Sequence, residues 1–321
     1  MPVLLDEVME SFAPFPAEGR ICDGTFGGGG HTARLLELCS GCTVTAIDAD
    51  EEMIRRGRRR WGSAGRLTLI HGWFDEVLPE LPLQDRVLLD VGVSMFHLKE
   101  ADRGFSLRED GPLDMRLNPT EDGETAAELI GRISEAELAD VLYLYGEERY
   151  SRRIARAIID HRSSGIDTTA QLAEVVKSAV PPKYRHGRNH PATRTFQALR
   201  IAVNDELGRI ERAIPAAAGR LAAGGRLAVI TFHSLEDRIV KHTFRRLEGR
   251  AGAGDTSQFV HHPAHKGSTP PPRRPMYEEE GQFRVITRKP VVPTEQELAS
   301  NPASRSAKLR VLERATEEGS Q

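Results

Sequence analysis

The apolar positions of this chain fall into two rhythms that change over along its length. Over roughly the first ninety residues, short apolar runs alternate with helical patterns. Arg20–Asp23, Thr43–Asp48, Leu67–His71 and Arg86–Val91 read as strands, while His31–Cys39 and Glu51–Trp61 carry apolar residues at helical spacing. Alternation of this kind predicts a mostly parallel sheet covered by helices on both faces. From about Asp102 to His190 no strand-like run appears, and the patterns over Ser134–Tyr145, Glu147–Arg162 and Thr169–Ala179 are those of amphipathic helices. Ser134 followed three residues later by Glu137 has the form of a capping box.

A long helical pattern from Ala192 to Leu221 then leads through Gly224-Gly225 into an apolar run, Arg226–Phe232, that reads as a buried strand. A helix over Leu235–Leu247 follows, then a Gly/Pro/His-rich connection from Gly249 to Pro275. Phe283–Thr287 and Ala307–Leu312 read as two last strands around a short helix capped by Thr294. The expected fold class is therefore α/β, a Rossmann-like sheet interrupted by an all-helical insertion. The boundaries expected are 1–101 for the first part of the sheet domain, 102–190 for the insertion and 191–321 for the second part.

Composition changes little in this picture, but the distribution of charge does. The 321 residues carry a formal net charge of only −3, yet Lys241–Lys289 holds ten Lys/Arg against five acids. Arg149, Arg152, Arg153, Arg156 and Arg162 form a second basic group on an expected helix. Either is readable as a solvated face; together they suggest phosphate contacts. No apolar run approaches the length that spans a bilayer, so a cytoplasmic protein without a membrane partner is expected. Cys22, Cys39 and Cys42 offer neither an even disulfide set nor a second Cys pair for zinc, and ordinary packing is expected of them.

The chemistry concentrates at strand ends. Asp23-Gly24-Thr25-Phe26-Gly27-Gly28-Gly29-Gly30 lies between a strand and a helix, where open α/β sheets bind nucleotides and where glycine lets the main chain come close to a ligand. No Gly-Lys-Ser/Thr follows, which argues against a P-loop. Asp23 beside the loop should repel a pyrophosphate but attract the ammonium and sulfonium of S-adenosylmethionine. Asp48, at the next strand end, is placed to accept ribose hydroxyls. His71-Gly72-Trp73-Phe74 offers rings for adenine, Asp90-Val91-Gly92-Val93-Ser94 an acid and a hydroxyl, and Ser234 a cap for the helix after Phe232-His233.

Taken together these residues resemble the bacterial 16S rRNA cytosine-N4-methyltransferase family, RsmH/MraW. The resemblance runs along the chain through Pro2-Val3-Leu4-Leu5-Asp6-Glu7, the glycine loop with His31, Arg103-Gly104-Phe105-Ser106, Asp110 to Arg116, Tyr145 to Arg149, His190 to Leu207 and Phe232 to Lys241. It implies methyl transfer from S-adenosylmethionine to the N4 amine of a decoding-site cytosine, position 1402 of 16S rRNA, within the small ribosomal subunit. It also implies cofactor contacts at Gly29, Gly30, His31, Asp48, Phe74 and Asp90. Where the family usually reads Gly-Val-Ser-Ser-Pro-Gln, this chain has Gly92-Val93-Ser94-Met95-Phe96-His97, so His97 stands at the position of a cofactor-binding Gln.

No metal is expected. Candidates for catalysis are Ser94, Asp114, His233 and Asn204, and candidates for RNA phosphates are Arg194, Arg200, Arg273 and Arg274. Arg194 and Arg200, six positions apart, are taken to share nearly one helix face. A homodimer is left open, and the rival reading is a ribosome-associated RNA-binding or assembly factor with the fold but little turnover.

Overall fold

The structure is a computed structural model that describes residues 1–62, 65–93, 96–97, 100–120, 123–185, 187, 189–250 and 282–316. These residues form two compact units, one of Met1–Gly92 with the described residues from Leu207 onward, the other of Val93–Glu206.

In the first unit, helix α1 (Leu5–Phe12) precedes β1 (Gly19–Asp23), α2 (Gly30–Leu38), β2 (Cys42–Asp48), α3 (Glu51–Trp61), β3 (Leu67–His71), the short α4 (Phe74–Val77) and β4 (Gln84–Asp90). β4 runs beside β1, and all four strands are parallel. Ile21, Val44, Ala46, Ile47, Val87, Leu88 and Leu89 are buried, the continuous apolar pattern of strands covered on both faces. Asp50 caps α3 by accepting the Glu52 N–H at 2.9 Å, and the three arginines Arg58–Arg60 close its last turn, the charge order a helix dipole favours.

In the second unit, the helices are α5 (Ala126–Arg132), α6 (Glu135–Leu144), α7 (Ser151–His161), α8 (Thr169–Ala179), α9 (Pro182–Arg185) and α10 (Thr193–Asn204). The expected capping box at Ser134 is present, and Thr125 and Thr168 form two more. The Asp110–Arg116 segment is pinned to these helices: Leu113 N–H donates to Asp167 O at 2.8 Å, and Asp110 accepts the Ala170 N–H at 2.9 Å.

The expected single helix over Ala192–Leu221 is two, because Asp205 takes the left-handed conformation (φ 49°) between α10 and α11 (Glu206–Gly219). β5 (Leu221–Thr231) starts before Gly224-Gly225 rather than after; those glycines lie where its pairing with β4 jumps from Gln84–Leu221 to Arg86–Arg226. Then come α12 (Ser234–Leu247), β6 (Phe283–Val285), α13 (Glu295–Ser300) and β7 (Lys308–Arg314). The sheet order is β3-β2-β1-β4-β5-β7-β6, with β7 antiparallel to both neighbours. Among the described residues no helix is long and apolar enough to cross a membrane. Contrary to the packing expected of them, Cys39 and Cys42 are joined by a disulfide, and only Cys22 is a free, buried thiol.

Candidate functional site

Asp23, Asp48 and Asp90 close three neighbouring parallel strands at the same sheet edge, in the order β2-β1-β4. Asp23 does not face a ligand, as its position beside the loop had suggested. It is 1 % exposed, accepts the Thr32 hydroxyl at 2.6 Å and the Thr25 N–H at 3.2 Å, and so ties the start of the loop to the first turn of α2. Burial raises its carboxyl above the ordinary range, against the pull of His31 and the hydrogen bonds.

The loop is shaped from its other side by Asp48. Its two oxygens accept the Gly27 N–H at 2.6 Å and the Asp50 N–H at 2.8 Å. Each carboxylate oxygen can accept more than one hydrogen bond, so the same group can also take hydroxyls. Gly29 has φ 72°, and a Cβ there would lie 2.5 Å from the Trp61 ring, so only glycine fits. Gly30 opens α2, and a Cβ on it would meet Pro2 at 2.6 Å.

His31 lies next, buried, with Nε2 3.0 Å from the Val3 carbonyl and Nδ1 3.9 Å from Asp90 Oδ2. A carbonyl only accepts, so Nε2 carries the hydrogen, and burial depresses the pKa of the ring, favouring the neutral form. Asp90 is raised well above the usual carboxylate range, first by burial, then by the negative charges of Asp23 and Glu236. Its backbone N–H is taken by the Thr25 hydroxyl at 2.7 Å, but its buried Oδ1 has no hydrogen-bond partner among the described residues. An acceptor without a donor at this place is costly in an empty protein and fits a ligand that brings an N–H or O–H.

Of the aromatic residues after β3, Trp73 is occupied: the Arg209 guanidinium stacks 3.7 Å from its ring centre. Arg209 and Arg212 also hold the buried Asp75 at 2.8 and 2.9 Å. Phe74, at the start of α4, has its Cβ 3.5 Å from where a side chain on Gly24 would begin, beside the loop. His97 sits in the second unit, buried against Phe105 with ring centres 5.6 Å apart.

Each described catalytic candidate is engaged in its own local structure. Asp114 belongs to an ion pair with Arg116 at 2.8 Å; burial raises its carboxyl, but hydrogen bonds and charge from Arg116 outweigh that and leave it below its ordinary value. The Asn204 amide donates to Met115 O at 2.7 Å and Arg200 O at 2.9 Å and accepts the Leu117 N–H at 2.7 Å, which makes it a brace for the 115–117 backbone. His233, not Ser234, caps α12, accepting the Glu236 N–H through Nδ1 at 3.4 Å while the Glu236 carboxylate accepts Phe232 N–H at 2.7 Å. Ser94, Arg273 and Arg274 lie outside the described residues.

Arg194 and Arg200 do not share a face, since six helical positions turn through about 240°, leaving them about 120° apart. Arg194 is exposed and donates to Glu147 O at 2.7 Å, whereas Arg200 holds Glu206 through two bonds of 2.8 and 2.9 Å with little exposure.

A family model described as the MraW methylase family matches residues 1–315. The chain belongs to the MraW methylase family. It is 50 % identical over 321 residues to ribosomal RNA small subunit methyltransferase H of Methylobacterium nodulans, covering 98 % of this chain and 90 % of that one. The protein of that name in Granulibacter bethesdensis is 47 % identical over 320 residues, with 98 % and 90 % covered. Among solved structures, an rRNA methylase from Streptococcus thermophilus aligns over 98 % of both chains at 12 % identity and a TM-score of 0.42. This MraW-family chain is a methyltransferase whose methyl donor is S-adenosylmethionine, and the Asp90 oxygen without a partner among the described residues and the Asp48 carboxylate suit the N–H and O–H groups of that molecule.

Proposed function

We propose that this protein methylates the N4 amine of cytosine 1402 in 16S rRNA of the small ribosomal subunit. The observation that carries the reading is an open acceptor, Asp90 Oδ1, at the same sheet edge as the loop-shaping Asp48, on the strands either side of β1, in a chain half identical to a protein named for small-subunit rRNA. In this reading Asp48 accepts the ribose hydroxyls, Gly29 and Gly30 let the backbone approach the amino-acid end, Phe74 borders the adenine, and Asp90 takes an N–H of the adenosine. The bound donor supplies an electrophilic methyl group. The amine of cytosine is a weak nucleophile because its lone pair is delocalised into the ring, so the protein accelerates transfer by holding it in line and excluding water.

The insertion, 102–190, is proposed to read the RNA. Arg152, Arg153 and Arg156 support this, standing exposed on one helix, α7, whose opposite face buries Ile154, Ala155 and Ile158. A substrate inside ribosomal particles would be met in the cytoplasm.

The test is mass spectrometry of 16S rRNA from cells with and without the protein, together with labelled methyl transfer to purified small subunits. Loss of one methyl at position 1402 is expected. Binding of subunits without transfer would favour the assembly-factor reading instead, and a methyl on another base would overturn the position.

A further inference from the structure

Beyond the donor end, the same sheet edge continues through the ends of β5 and β7, and there the first unit has a cavity of about 430 Å³. Its apolar wall is Phe232, Val292 and Leu298; its polar wall is Arg305, Ser306 and Lys308. Val292 and Leu298 are 56 % and 39 % exposed, so this apolar wall is open to solvent. Arg305 is exposed and makes no ion pair among the described residues. Lys308 shares Asp237 with Arg310, at 3.2 and 2.6 Å, so two cations meet one carboxylate and the wall stays positive. Glu297, on the same helix as Leu298, accepts the Leu4 N–H at 2.8 Å and serves the N-terminal segment.

Phe232 connects this cavity to the donor end. A Cβ on Gly92, two residues past Asp90, would lie 3.3 Å from the Phe232 ring. β4 and β5 are hydrogen-bonded neighbours, with Asp90 opposite Ile230, and neighbouring strands are about 4.8 Å apart. A base presented at the end of β4 therefore has its neighbour in the strand within reach of the β5–β7 cavity. One apolar wall with an aromatic ring and one wall with an unpaired guanidinium are the two surfaces a nucleotide needs, for its base and for its phosphate.

We propose that this cavity is a subsite for the RNA nucleotide next to the methylated cytosine, its base against Phe232, Val292 and Leu298 and its phosphate on Arg305. The assignment rests on the proposed RNA substrate. It makes the sheet domain itself a contributor to choosing the target, because a cytosine is presented only when its neighbour is seated.

Two measurements test it, both on the full chain. Arg305→Glu, at an exposed position, should raise the KM for small subunits about tenfold while kcat, donor affinity by calorimetry and Tm stay as in the wild type. An unchanged KM, or loss of donor affinity alongside it, would overturn the subsite. Val292→Cys carrying an azidophenacyl group should crosslink to 16S rRNA beside the target cytosine on irradiation. Crosslinking only to residues 251–281 of the chain itself, or no crosslink, would also overturn it. Wild-type protein that transfers no methyl group to subunits would count against the proposed function, and the crosslink would still decide the subsite separately.

Discussion

Asp48 accepts the amide N–H of Gly27 at 2.6 Å, so the residue proposed to hold the ribose is also the one that bends the glycine loop into place. Replacing it removes both at once. Asp48→Ala should weaken S-adenosylmethionine binding about a hundredfold or more, and Asp48→Asn about tenfold, since an amide oxygen can still accept from Gly27 but its NH2 cannot accept a hydroxyl. Calorimetry with the donor decides this, and equal affinities in all three proteins would refute the assignment.

The Asp90 carboxyl has its pKa raised in the folded state by burial and by Asp23 and Glu236. A raised carboxyl binds its proton more tightly folded than unfolded, so its favourable contribution is complete below the ordinary carboxylate pKa and is lost as pH rises through the folded value. Asp90→Asn should therefore stabilise the donor-free protein more at about pH 8 than at about pH 5, while weakening donor binding. Calorimetric melting at the two pH values checks it; a difference independent of pH would contradict the direction.

Arg209 stacks on Trp73 and pairs with Asp75, whose side chain is 3 % exposed. Arg209→Ala should cost about 2–4 kcal/mol, since Arg212 remains to hold the buried carboxylate but the stacking is gone. Chemical denaturation measures the loss. A change within about 0.5 kcal/mol would mean the stack and pair contribute little.

The Arg200–Glu206 pair leads to a separation of stability from RNA binding. Arg200→Ala should destabilise by about 3 kcal/mol through the stranded Glu206 carboxylate yet leave the salt dependence of RNA affinity unchanged. Arg153→Ala, on the exposed face of α7, should do the reverse. A reduced salt slope in the Arg200 variant would restore it as a phosphate contact.

The parallel sheet and the glycine edge were legible because strands buried on both faces write themselves as unbroken apolar runs. Asp205 was not. Nothing in an apolar pattern continuous across Asn204-Asp205-Glu206 marks a left-handed residue, and that break is what lets residues six apart, Arg200 and Glu206, meet. His233 was missed as a cap since imidazole rarely takes that role, whereas the Glu three residues on was available as a signal. Asp23 was visible but misassigned: sequence places a carboxylate beside the loop without telling whether it points out to a ligand or, as here, inward to Thr32.

The position of β7 sets an order in time. Leu309, Val311 and Leu312, all buried, insert between β5 and β6, and Glu297 and Asn301 just before them hold Leu4 and the Met1–Pro2 carbonyls. The loop that shapes the donor end precedes β7 by almost three hundred residues, so the sheet beside it closes only after β7 has emerged, and such distant pairings form slowly. Leu4, next to the Val3 that accepts from His31, is anchored by a segment almost three hundred residues later. A chain lacking β7 thus exposes an open β5 edge beside the strands that carry Asp90 and Asp23.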